Sequence, residues 1–101
     1  MVILMIKILN SSSEFDSVIK SGIWFVDFNA TWCMPCRMLE PVLEELSSEY
    51  NVLSVDIDRF SDLAMKYDIM SVPTVFVFKD GNYLNKSIGL VDIDTLRNLV
   101  K

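Results

Sequence analysis

Apolar positions along this chain recur with two periods, and the switches between them mark its elements. The opening run Met1-Val2-Ile3-Leu4-Met5-Ile6 is continuously apolar until Lys7 interrupts it. That is well short of the roughly 20 residues of a membrane span, and no basic leader or small-residue cleavage site accompanies it, so it predicts a first β-strand. Met5 offers a second start residue, which would make the first four residues dispensable. Asn10-Ser11-Ser12-Ser13 is a polar turn ending in good helix caps, and Phe15, Val18 and Ile19 then fall at helical spacing, predicting a short helix over 14–20 that Gly22 stops. The run Ile23-Trp24-Phe25-Val26-Asp27-Phe28 is β-branched and aromatic, apolar on both faces apart from one carboxylate. It predicts a central, buried strand.

Over 33–50 the residues Met38, Leu39, Val42, Leu43 and Leu46 recur every three or four positions, the pattern of an amphipathic helix, with Pro41 inside it as an expected kink. A strand over 52–57, a helix over 61–67 and a strand over 74–79 follow. Asp80-Gly81-Asn82 predicts a hairpin turn, with the return strand over 83–88. Asp92 can cap a last helix carrying Ile93, Leu96, Leu99 and Val100 on one side. The order βαβαβαββα implies an α/β fold, a central mixed sheet of about five strands flanked on both faces by about four helices. No repeat, linker or low-complexity segment interrupts the 101 residues, so one domain over 1–101 is expected.

Charge narrows the partners. The formal net charge is −5, which argues against a phosphate-binding surface, so no nucleic acid is expected. No membrane association is expected either. Without an export signal the chain is expected in the cytoplasm, where structural disulfides are rare, and its two cysteines call for another explanation.

Cys33-Met34-Pro35-Cys36 lies where the buried strand hands over to the long helix. Thiols two residues apart can close a disulfide if the backbone geometry permits. Unpaired N–H groups and the positive dipole end at a helix N-terminus favour a thiolate on Cys33, and the thiolate is the form that attacks a disulfide sulfur. Pro35 has a fixed φ suited to the first turn and lacks an N–H that would be unpaired there. A zinc site would need four ligands, whereas the chain has two cysteines and no histidine, so carboxylates or a second chain would have to complete it. An inert buried pair is the other alternative, although a strand-to-helix junction should expose the first cysteine.

In this context the chain resembles the thioredoxin family over nearly its whole length, from residue 7 onward. Val26-Asp27-Phe28, Ala30, Trp32-Cys33-Met34-Pro35-Cys36, Pro41, Val72-Pro73-Thr74, Gly81 and Gly89 stand in that family's order and approximate spacing. The resemblance implies the thioredoxin fold and a thiol–disulfide oxidoreductase that reduces protein disulfides. Cys33 resembles the nucleophile that forms a mixed disulfide with substrate, and Cys36 the thiol that resolves it. Asp27 resembles a buried carboxylate that handles the proton of Cys36; burial raises a carboxyl pKa, which suits that work, and a structural hydrogen-bond acceptor is the plainer alternative. Pro73 resembles the family's cis-proline. Val72 and Thr74 flank it, Val72 offering backbone groups to an extended substrate, while Trp32, Met34, Pro35, Gly89 and Leu90 supply an apolar rim. The implied partners are disulfide-containing client proteins and a thioredoxin reductase, an NADPH-linked flavoprotein. No cofactor is needed, because the electrons travel through sulfur, and a monomer is expected.

Three positions depart from the family's pattern. Met34 stands in place of the usual glycine and enlarges the apolar surface beside Cys33. Asn29 stands where many members have tryptophan, which should loosen packing near the loop. Ser54 stands where many members have a buried lysine, so Asp27 should lack a cationic partner and hold its proton more tightly. A disulfide oxidase or isomerase on the same fold, and a binding module that uses its groove without turnover, are the rival functions.

Overall fold

The computed structural model describes residues 5–101. Its first strand, β1, is Ile6–Ile8, so the part of the predicted strand at residues 1–4 lies outside the described residues. There follow a 3-10 turn Ser12–Glu14, α1 Phe15–Val18, β2 Ile23–Asn29, α2 Met34–Leu46, β3 Asn51–Asp56, α3 Ser61–Lys66, β4 Thr74–Lys79, β5 Asn82–Ile88 and α4 Ile93–Asn98. The strands form one sheet in the order β1-β3-β2-β4-β5. β1 and β2 run parallel to β3, while β4 runs antiparallel to both β2 and β5, which makes the sheet mixed, as the element order implied.

The two-residue period of the strands sorts their side chains onto opposite faces. Val26 and Phe28 of β2, Leu53 and Val55 of β3, and Phe76 and Phe78 of β4 pack with Phe15, Ile19 and Leu63 from the α1 and α3 side. Phe25, Val52, Val75 and Val77 occupy the other face, against Leu39, Leu43 and Leu46 of α2 and Leu96 of α4. β2 is central and buried because it has helices over both faces. Asp27 shares the α2 side with Phe25, opposite Ser54 of β3 and Val75 of β4.

Helix ends differ from the sequence reading for local reasons. The first helix opens as a 3-10 turn that no side chain caps; Glu14 Oε1 instead accepts from the N–H of Asn10, ahead of the turn, at 2.8 Å. α2 stops at Leu46 rather than at residue 50, where Ser47 and Ser48 turn their hydroxyls back onto the carbonyls of Glu44 and Glu45. Side chains that bond nearby carbonyls compete with helix continuation. Pro41 lies inside α2, which runs through it as one helix. The β4–β5 turn has positive φ at both Asp80 (51°) and Gly81 (84°), as a two-residue hairpin of matching twist requires. Asp92 caps α4 by accepting from the Thr95 N–H at 2.9 Å.

Candidate active site

β2 leaves the sheet at Asn29, and the chain turns through residues 30–32 into α2, with Cys33 as its N-cap residue. Cys33 and Cys36 are joined in a disulfide across a Cα separation of 5.3 Å. Cys33 has extended backbone angles, and its Sγ accepts from the Cys36 N–H at 3.2 Å. After reduction that same N–H, at the positive end of a 13-residue helix, points at the sulfur and favours its thiolate. Pro35 occupies the first turn of α2, where a missing N–H costs nothing.

One expectation needs correction: Cys33 is not exposed. Both cysteines are 4% accessible, packed with Ala30 against Ile57 and Val72. The Val72 carbonyl oxygen lies 3.6 Å from Cys33 Sγ, within reach of a reduced thiol's S–H. The segment carrying Val72 covers the sulfur; the Val72–Pro73 peptide is cis, and the Pro73 carbonyl accepts from the Gly89 N–H at 2.8 Å. Gly89 takes φ +90°, a conformation strained for residues with a Cβ. Thr74 also differs from its expected place. Its side chain is buried and its hydroxyl donates to the Ser71 carbonyl at 2.7 Å, so it shapes the loop and does not face a groove. Trp32, Met34 and Leu90 are exposed, with Trp32 pinned by a 2.8 Å hydrogen bond from Nε1 to Asp58. Sequence reasoning passed over Asp58, whose bond to Trp32 spans 26 positions and has no local signal.

Behind the disulfide, Asp27 is 4% exposed. Burial raises its pKa from 3.8 to about 7; a hydrogen bond from Asn29 opposes that rise, and the charge of Glu40 adds to it. Asp27 and Cys36 both line a cavity of about 450 Å³ between the sheet and α2, together with Asn29, Ser54 and Glu40. Asn29 was expected to loosen this region. Instead its amide Nδ2 donates to Asp27 Oδ2 at 3.1 Å, to the Asp27 carbonyl at 3.0 Å and to Ser54 Oγ at 2.8 Å. The two departures from the family's pattern therefore meet each other around Asp27.

The bond that this site can make and break reversibly is the Cys33–Cys36 disulfide, which puts the chain in the class of thiol–disulfide oxidoreductases. A family model described as Thioredoxin matches residues 6–101. Thioredoxins of Staphylococcus epidermidis and Staphylococcus aureus are 45% and 43% identical to the chain over 94 residues, covering 89% of it and 90% of theirs. Among solved structures, a mutant thioredoxin from Halobacterium salinarum NRC-1 aligns with a TM-score of 0.88 at 36% identity, covering 94% of this chain and 87% of that one. The oxidised thioredoxin from Plasmodium falciparum gives 0.83 at 35% identity, covering 94% and 95%. The chain belongs to the thioredoxin family.

Proposed function

We propose that this chain, as a single domain over 1–101, is a general protein-disulfide reductase in which Cys33 attacks, Cys36 resolves and Asp27 takes up the proton of Cys36. The Cys33 thiolate attacks one sulfur of a client disulfide, forming a mixed disulfide and releasing the first client thiolate. The Asp27 carboxylate takes the proton of Cys36. The resulting Cys36 thiolate displaces the second client thiolate from Cys33, and both electrons now reside on the client while the Cys33–Cys36 disulfide is closed. The observation that carries this reading is the buried carboxyl lining one cavity with Cys36, its pKa raised to about 7, where it exchanges a proton near neutrality.

An extended client strand pairs with the backbone at Val72, beside Pro73, over the exposed apolar side chains of Trp32, Met34 and Leu90, with Pro35 and Gly89 at the margins. Backbone pairing and apolar contact select little by sequence, which suits many clients. A flavin-containing, NADPH-linked thioredoxin reductase returns two electrons to the disulfide. The protein works as a cytoplasmic monomer in this reading. Among the described residues no helix is long and apolar enough to cross a membrane.

Insulin reduction driven by dithiothreitol tests the assignment. Wild type should turn over, Cys33→Ser should be inactive, and Cys36→Ser should stall as a mixed disulfide. A folded wild type without turnover would refute general reductase activity.

A further inference from the structure

Asp27, Asn29 and Ser54 lie on one face of the sheet. Asp27 and Asn29 are two apart on β2, and Ser54 is the register partner of Asp27 on β3. The orientation of the Asn29 amide follows from chemistry, since the Asp27 carbonyl and an ionised carboxylate only accept, and only the NH₂ end has hydrogens to give. Its two hydrogens serve three oxygens at 2.8 to 3.1 Å, so one is shared. Every contact falls on one side of the carboxyl. Oδ2 is held, whereas Oδ1 is buried with no hydrogen-bond partner.

We propose that Asn29, anchored by Ser54, is a positioning residue that fixes Oδ2 of Asp27 as a hydrogen-bond acceptor and leaves Oδ1 to take up and give back the proton. A donor on Oδ2 favours the ionised carboxyl over the neutral one and so opposes burial. A neutral amide thereby supplies, from β2, a stabilising contact to the carboxylate where a lysine at position 54 would supply a charge from β3. The other groups facing Asp27 do not replace it. From α2, Glu40 repels the carboxylate, and Arg37, Glu44 and Cys36 also line the cavity; β1 presents Ile6 and Ile8, β3 Ser54 and β4 Val75. Without the Asn29 contact Asp27 stays protonated to higher pH, so fewer molecules hold the carboxylate that takes the Cys36 proton. From a pKa of about 7, a first tenfold weakening of Asp27 as an acid lowers its ionised fraction at pH 7 roughly fivefold.

The inference rests on the proton-transfer reading of Asp27, and the test separates the two. The Asp27 carboxyl is titrated by ¹³C NMR in the reduced protein, and the pH profile of insulin reduction is recorded at saturating insulin. Wild type is compared with Asn29→Leu, which preserves volume, with Asn29→Ala, and with Asn29→Leu/Ser54→Lys. In both single variants Asp27 should titrate at higher pH than in wild type. The acid limb of the profile should move with it, so that turnover at pH 7 falls several-fold while the alkaline plateau is kept. The lysine should bring both back down. An unmoved Asp27 titration in whichever single variant folds would overturn the positioning role, as would a titration left raised by the lysine. The Asp27→Asn variant decides the other matter: a wild-type pH profile there would refute proton transfer by Asp27, while the NMR titration would still judge Asn29.

Discussion

Replacing Asp27 by asparagine should stabilise the fold, and by an amount that grows with pH. Burial, opposed by the Asn29 hydrogen bond and assisted by Glu40, lifts the Asp27 pKa from 3.8 to about 7. Between those values the folded protein holds a proton that the unfolded chain has released. The native state binds more protons there, so stability falls as pH rises through the window; below about pH 4 both states are protonated, and above about pH 7 the loss is complete. At about 1.4 kcal/mol per pKa unit, the interval from 3.8 to about 7 amounts to roughly 4 kcal/mol. The asparagine variant carries no charge at any pH and escapes this cost. The chain has no histidine, so few other groups titrate in the neutral range, and differencing against wild type removes those that do. Urea unfolding of both oxidised proteins, followed by the fluorescence of Trp24 and Trp32 from about pH 5 to about pH 9, measures the difference. The gap should widen by a few kcal/mol up to pH 7 and then level off. A gap that stays constant with pH would refute the account of Asp27 as a buried carboxyl ionising near neutrality.

Further substitutions test the scaffold. Leu39→Ala removes a fully buried side chain from the α2 side of the core and should cost about 2–5 kcal/mol by urea unfolding; a loss under about 1 kcal/mol would mean that α2 packs elsewhere. Gly81→Ala places a Cβ at φ +84° with no close contact, so its cost should be backbone strain alone, about 1–2 kcal/mol, with insulin reduction at the wild-type rate. Asp92→Ala should lower stability by uncapping α4, and the loss should be smaller at low pH, where the wild-type carboxylate, held below its ordinary pKa by Thr95, is itself protonated.

Much of this architecture was legible because its determinants are local. The continuous apolar run at β2 announced a strand covered on both faces, Asp80-Gly81-Asn82 announced a hairpin turn, and Asp92 stood at its cap. Helix ends were less legible, because the hydrophobic period continues past Leu46 to Tyr50 while the serine hydroxyls that end α2 leave no periodic trace. In the site, the spacing of Cys33 and Cys36 and the burial of Asp27 were readable. The covering of Cys33 by Val72 was not, since it depends on a segment 39 residues downstream of the cysteine folding back over it, and neither was the inward turn of Thr74 onto the Ser71 carbonyl. Asn29 and Ser54 were visible only as departures. Their meeting around Asp27 needed the β2–β3 register, which pairs residues 27 and 54.

The central claim is that Cys33 is the attacking sulfur and Cys36 the resolving one, and trapping tests it most directly. Cys36→Ser is mixed in its reduced form with oxidised insulin, and the products are mapped by mass spectrometry without reductant. The account predicts a stable adduct of one insulin chain on Cys33, released by dithiothreitol. The converse variant, Cys33→Ser, should form little adduct, because the helix N–H that favours a thiolate points at Sγ of Cys33 and not at that of Cys36. Adducts formed as readily on Cys36 as on Cys33 would contradict the account.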